Sequence, residues 1–360
     1  MTLTRSSRAI SPAPLWGPDM VRRPTIALIS TAMSLLAATA GASTCEGRNL
    51  IDALPDAKRT QIEAAVADVP YHEGILWRAT RGQATITMVG TYHFSDPRHL
   101  ETVATLEDDL TDAEVLFVEA GPEEEARLTQ ALTEDPSLMI DPDGPTLPER
   151  LDDDEWQTLS TAMAERGSPA VVTAKMRPWY VAMMLGISPC MIETMTAAGD
   201  DGGLDSILVA RAEALSIPVR ALEPWDTVFT LFADLTPDEE EDMIRAALPA
   251  ADYADDYAIT LTDAYFRGDV WTIWEFGRFD AYDKSGMTNA EVDAQLDLAQ
   301  TQLMDKRNRA WIAPLTDAAD KAAQSGKGVL AGFGALHLPG ESGVLRLLEK
   351  DGWTVERLDG

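Results

Sequence analysis

The sequence predicts an α/β domain with a helical insertion, and three observations carry that prediction. Short β-rich runs alternate with helical stretches along the chain. One run, Val115-Leu116-Phe117-Val118, is continuously apolar, as expected of a strand buried on both faces. No Pro/Ser linker or break in composition interrupts residues 46–360, so one domain is expected; two domains divided near 230–250 are the alternative.

The elements follow in order. Ala84-Thr85-Ile86-Thr87-Met88-Val89 reads as a strand ended by Gly90, and a helix follows over about 100–113 with Val103, Leu106 and Leu110 on one face. After the strand 115–118, helices are expected at 123–133, 153–166, 178–186 and 204–216, then a strand at 218–222. Thr236-Pro237-Asp238-Glu239 is a helix start, with threonine at the N-cap, proline in the first turn and glutamate at the capping-box position. Residues 250–324 read as mostly helical, with an interruption near Asp283–Met287, so the insertion spans roughly 236–324. A strand at 328–333, a helix near 341–350 and a last strand at 353–358 close the chain.

Composition narrows the function. Of 360 residues, 45% are apolar and 25% charged, which excludes a disordered or collagen-like chain. Asp and Glu outnumber Lys and Arg by 60 to 29, for a net charge of −31. Such a surface repels phosphate backbones and anionic head groups, so neither nucleic acid nor a membrane surface is an expected partner. The acidic runs Glu107-Asp108-Asp109 and Glu239-Glu240-Glu241-Asp242 read as solvated helix faces, because the alternating ligands of a calcium loop are missing.

The N-terminus reads as a signal peptide over residues 1–40. Arg22 and Arg23 precede an uncharged, apolar stretch that ends in Ala38-Thr39-Ala40, a cleavage pattern. Met20 is an alternative start, and an uncleaved membrane anchor is the alternative to cleavage near Ala40. The expected location is periplasmic or secreted, with no stable membrane insertion after cleavage. In an oxidising compartment Cys45 and Cys190 are the one intramolecular pair available; free thiols or an intermolecular bridge are the alternatives.

The chemistry is expected where strands end. The strand 84–89 runs into Gly90-Thr91-Tyr92-His93, and the strand 328–333 into Gly334-Ala335-Leu336-His337. In an open α/β sheet, ligands gather beyond the C-terminal ends of strands. A third strand ends in Val118-Glu119. Two imidazoles and a carboxylate form a ligand set suited to zinc, manganese, cobalt or ferrous iron. The other two histidines, His72 and His99, lie in polar stretches and read as surface residues, whereas Trp179 and Trp311 read as core. There is no Gly-x-Ser-x-Gly elbow, His-Glu-x-x-His helix or phosphate-cradling glycine loop.

Together these segments resemble the TraB/GumN family, which is related to the Tiki metalloproteases. The resemblance runs through Leu76-Trp77-Arg78-Ala79, Gly90-Thr91-Tyr92-His93, Val118-Glu119 and Ala174-Lys175-Met176-Arg177-Pro178-Trp179. It continues through Gly203-Leu204-Asp205, Leu222-Glu223, Arg307-Asn308 and Gly334-Ala335-Leu336-His337-Leu338-Pro339-Gly340, so it spans about 46–358. It implies a Tiki/ChaN/erythromycin-esterase-like fold, a mixed central β-sheet wrapped by helices. It also implies a divalent-metal site (Mn, Co or Zn) at His93, Glu119 and His337.

The expected chemistry is hydrolysis of a peptide or other small carbonyl substrate by metal-activated water. Glu119 would be a ligand or the general base. Arg307 and Asn308 would stabilise the oxyanion, with a surface ion pair as the alternative for Arg307. Lys175, Asp205 and Glu223 would orient the ligands or form fold-holding ion pairs. The rival expectations are a non-catalytic binding protein and, by the naming of GumN-like proteins, an accessory factor in polysaccharide production.

Overall fold

Side-chain alternation along β3 (Ala113–Val118) explains how the sheet sits in the molecule. Val115 and Phe117 join one buried cluster, Leu116 and Val118 another. Both faces are therefore dry, as the continuous apolar run predicts. In the computed structural model, which describes residues 45–198, 202–233 and 235–359, β3 belongs to a six-stranded sheet. The predicted signal segment over 1–40 lies outside the described residues.

The other strands are β1 (Leu76–Arg81), β2 (Ala84–Thr91), β4 (Val219–Ala221), β5 (Gly328–Gly334) and β6 (Thr354–Arg357), in the spatial order β4-β3-β5-β2-β1-β6. The first four positions, β4, β3, β5 and β2, run parallel, while β1 is antiparallel to β2 and β6. The sheet is mixed, as expected. β1 is an addition: its two arginines break the apolar pattern, and it forms because Gly82 turns the chain with a φ of +64° so that β1 pairs residue by residue with β2.

One face of the sheet is covered by the helix Lys306–Ala322, through Trp311, Leu315 and Ala319, and by the helix Val344–Lys350. Against the other face lie Leu106, Leu110 and the helix Leu204–Ala214, through Leu204, Leu208 and Ala212. The expected helix over 100–113 is broken at Leu106 into His99–Thr105 and Glu107–Thr111. Its acidic run is not simply solvated. Asp109 binds Arg78 and Thr87, and Glu107 pairs with Arg211.

The expected helix start is present as the helix Pro237–Ala247, which Thr236 caps with Glu239 at the N3 position. The core around it draws on an earlier segment too: Leu147, Leu159, Met163, Val181 and Leu185 pack with Ile244 and Leu248. Among the described residues no helix is long and apolar enough to cross a membrane. Cys45 and Cys190 form a disulfide with Cα atoms 5.7 Å apart, tying the first described residue to the helix Pro189–Ala198. Closing that 145-residue separation constrains the unfolded chain by about 3–5 kcal/mol in the chain-entropy account.

Candidate active site at four strand tips

Four adjacent parallel strands each deliver one polar side chain at the same end of the sheet. His93 follows β2, His337 follows β5, Glu119 follows β3 and Glu223 follows β4. The two glycine motifs make this convergence sterically feasible. A Cβ at Gly90 would lie 2.9 Å from the Cα of Ala335, so β2 and the turn Ala335–His337 meet only because residue 90 is glycine. At Gly334 a Cβ would stand 3.2 Å from Glu119 Oε1 and 3.6 Å from His93 Nε2, which places this glycine at the centre of the cluster.

Each imidazole is fixed from behind. His93 Nδ1 lies 2.8 Å from Asp205 Oδ2, and the other carboxylate oxygen of Asp205 accepts from the Thr91 hydroxyl at 2.6 Å. Asp205 is in the first turn of the helix Leu204–Ala214, where the backbone N–H groups of Gly203 and Leu204 donate to the carbonyls of His93 and Tyr92. His337 Nδ1 lies 2.5 Å from Asn308 Oδ1, and Asn308 Nδ2 donates to the Ser342 carbonyl at 2.9 Å. That second bond fixes the amide orientation, so His337 Nδ1 carries the proton and Nε2 presents its lone pair to the cluster. Trp311 packs against His337 with ring centroids 4.5 Å apart and the rings tilted by 42°.

Between them sits a buried charge network. Arg307 donates to Glu119 Oε2 at 2.5 Å, to Glu223 Oε1 at 2.6 Å and to Glu223 Oε2 at 2.9 Å. Its Nη1 also lies 3.2 Å from His337 Nε2 and donates to the Leu303 carbonyl at 2.8 Å. Leu303 belongs to a π-helical turn, Thr301–Asp305, which leads directly into the helix that carries Arg307. Glu119 Oε1 accepts the Gly334 backbone N–H at 2.6 Å, and Trp311 Nε1 donates to Glu223 at 3.0 Å. The side chains of Arg307, Glu119 and Glu223 are only 16%, 17% and 10% exposed.

The environment sets the charge states. Burial pushes the Glu119 carboxyl up, but the surrounding imidazoles and Arg307 outweigh it and hold the group at about 2. Burial, with Arg307 adding to it, lowers His337 to about 4 against the attraction of Glu119. Crowding also lowers His93, but the Asp205 carboxylate and then Glu119 more than reverse this and raise it to about 9. At neutral pH the site therefore holds an ionised Glu119, a neutral His337 and a cationic His93.

The donor set fits a divalent cation in its chemistry once His93 gives up the proton on Nε2. Two imidazoles have their Nδ1 atoms held by Asp205 and Asn308, leaving Nε2 toward the cluster, with an ionised carboxylate beside them. In the arrangement described, Arg307 engages Glu119 Oε2 and His337 Nε2. Among the described residues no three His, Cys, Asp or Glu side chains stand at the spacing of a closed metal site.

Several expectations need correction. Lys175 joins neither the cluster nor an expected ion pair; its ammonium donates to the carbonyls of Pro142 and Gly144, closing the loop before the helix Leu147–Arg150. Arg307 is no surface ion pair, because its helix packs the guanidinium under the strand tips. Both ends of the Asn308 amide are committed, so it positions His337. His99 is fully buried, its Nε2 2.9 Å from the Phe94 carbonyl among Tyr92, Tyr265 and Phe266, while the polar residues before it stay outside. Sequence reading also missed the Trp311 N–H as a partner of Glu223. The signal for it was the i, i+4 spacing from Arg307 to Trp311 on one helix face.

A mixed α/β sheet with its polar side chains gathered at parallel strand tips defines the class. The family model for TraB/PrgY/gumN matches residues 75–357, from the start of β1 to the end of β6, and the chain belongs to that family. No curated protein and no solved structure matches it.

Proposed function

We propose that this chain is an exported, divalent-metal-dependent hydrolase of peptidase type that acts at the four strand tips. The observation that supports this most is the pair of imidazoles beside an ionised carboxylate, His337 buried and His93 open to solvent, each held from behind by a dedicated partner. His93, His337 and Glu119 would hold the cation, which supplies Lewis-acid polarisation of a carbonyl and a lowered water pKa. Asp205 and Asn308 keep the two rings in register for that role.

Glu119 at about 2 is a weak base, far from the neutral range where general bases work best, and this favours its role as ligand. Arg307 supplies a permanent positive charge beside the reacting position and stabilises the oxyanion that develops as a carbonyl is attacked. Glu223 and Trp311 keep that guanidinium in place. Export is supported by the Cys45–Cys190 disulfide, since such bridges persist in oxidising compartments.

The rival reading is a binding protein that turns nothing over. It is favoured by one observation: Arg307 already neutralises Glu119 and meets His337. A peptide and ester library separates the two. The hydrolase reading expects turnover that rises with added manganese, cobalt or zinc and stops with chelator. Stoichiometric capture of a ligand returned unchanged would overturn it.

A further inference from the structure

On the side of Glu223 the sheet ends in β4, a strand of three residues with β3 along one edge and, among the described residues, no strand along the other. The Pro218 carbonyl accepts from Leu116 N–H at 2.9 Å, and Leu222 N–H donates to the Val118 carbonyl at 2.8 Å. Hydrogen-bonding groups of successive residues in a strand face opposite edges. Arg220 therefore also faces β3, and the N–H and C=O groups of Val219 and Ala221 face away from it.

Val219 and Ala221 also line a cavity of about 460 Å³ formed by Gly121–Glu124 and Val219–Pro224. The cavity wall carries Glu123, Glu124 and Glu223 against a single cation, Arg220, in a chain of net charge −31. Past its last residue the strand runs straight into Glu223, the carboxylate that holds Arg307. The open edge, the cavity and the candidate active site are thus continuous along one stretch of backbone.

We propose that the substrate is an extended, cationic peptide segment that adds to β4 as a further strand, bonded to the backbone of Val219 and Ala221, and is led along it toward the strand-tip cluster. The outward groups repeat every two residues, roughly 7 Å, a spacing that an extended peptide matches and a compact ester or sugar does not. Strand addition is a general way for an unpaired edge to bind peptides, with backbone bonds giving affinity and side-chain contacts giving selectivity. The exposed Glu123, with Glu124, supplies that selectivity here, because Glu223 is already held by Arg307. The role of the bound peptide as substrate rests on the hydrolase reading above; the binding mode does not.

The test uses the mature chain and a fluorescein-labelled hexapeptide of alternating lysine and valine. Binding is followed by anisotropy, and amide exchange by NMR at saturation. The Val219 and Ala221 amides should slow by about tenfold or more, while those of Arg220 and Leu222, which face β3, should not change. N-methylation of alternate peptide nitrogens should weaken binding by about tenfold, and methylation of the intervening ones should not. Ala221→Pro removes an outward donor at an edge position that tolerates proline, and should weaken binding about tenfold in a folded protein; Ala221→Val should retain it.

Absence of binding at about 1 mM peptide overturns the proposal. So does binding that leaves Val219 and Ala221 exchange unchanged. Protection that is present without peptide and lost on dilution would instead assign this edge to a second copy of the chain. A peptide bound in this way but never cleaved removes the hydrolase reading and leaves the strand addition standing. Cleavage with no change in β4 exchange does the reverse.

Discussion

Replacing Arg307 by leucine should cost far more stability than the loss of an exposed charge does. The wild-type guanidinium is 16% exposed and bonds two carboxylates that are themselves 17% and 10% exposed. Arg307→Leu keeps much of the side-chain bulk but leaves Glu119 and Glu223 facing each other with no cation between them. Removing one partner of a buried ion pair typically costs about 3–5 kcal/mol, because the remaining charge is left desolvated and unpaired. With ~2.1 cal/mol/K of unfolding entropy per residue over the mature chain, that corresponds to a fall in melting temperature of roughly 4–7 °C.

The deficit should also depend on pH in a defined direction. Without its cation, the desolvated Glu119 takes up its proton at higher pH than it does in the wild type. The stability lost should be greatest at neutral pH and should shrink as the pH falls toward 5. Urea unfolding of wild type, Arg307→Leu and Arg307→Lys from pH 5 to 8 reads both effects. Lysine should recover only part of the loss, since it cannot reproduce the forked contact with Glu223. A loss below about 1 kcal/mol, or one independent of pH, would show that solvent screens this network and would refute the argument.

Other consequences follow from the same geometry. Glu119 is held at about 2 against an ordinary 4.5, and His337 at about 4 against 6.5, so as pH falls the unfolded state takes up each proton first. Their contributions are complete above pH 6.5 and fade between 6.5 and 4 for His337 and between 4.5 and 2 for Glu119; each gap is worth at most roughly 3 kcal/mol. Melting temperatures should drop through that range, and His337→Gln should flatten the upper part of the fall. His93 acts oppositely: its contribution is full below pH 6.5 and is lost as pH rises through about 9, and with the side chain 60% exposed the effect should be small.

Gly203→Ala would set a Cβ 2.1 Å from the Tyr92 carbonyl oxygen, forcing the helix that carries Asp205 away from His93. Calorimetry should show a loss of roughly 1–3 kcal/mol, and an unaltered melting temperature would mean the approach is looser than described. Asp205→Asn removes the carboxylate behind His93 and should weaken metal binding by about 10–100-fold in a titration, whereas equal affinity would leave Asp205 a purely structural residue. Replacing Cys45 and Cys190 by serine should lower stability by about 3–5 kcal/mol in denaturant; no loss would place the effect outside the chain-entropy account.

What the sequence made legible was local. β3 and β5 show as apolar runs, and the cap at Thr236 shows as a motif, because each depends on neighbours within a few residues. The positions of His93, Glu119 and His337 were readable for the same reason, since a polar residue at the carboxyl end of a parallel strand announces itself. β1 was hidden because Arg78 and Arg81 disguise its alternation, and pairing with β2 and β6 supplies what its own pattern lacks. His99 was misread because one residue of a polar stretch turns inward to meet Tyr265 and Phe266 of a helix distant in sequence. The Arg307 network joins residues 84 and 188 positions apart, a pairing that no spacing rule encodes.

The central claim is that His93, Glu119 and His337 hold a catalytic cation at the strand tips. The most direct measurement is metal content by mass spectrometry, after loading with manganese, cobalt or zinc and desalting, on the mature wild type and its His93→Ala/His337→Ala variant. The account predicts about one ion per wild-type chain and none in a variant that remains folded by circular dichroism. Equal retention by both proteins, or none by the wild type at neutral pH, would contradict it.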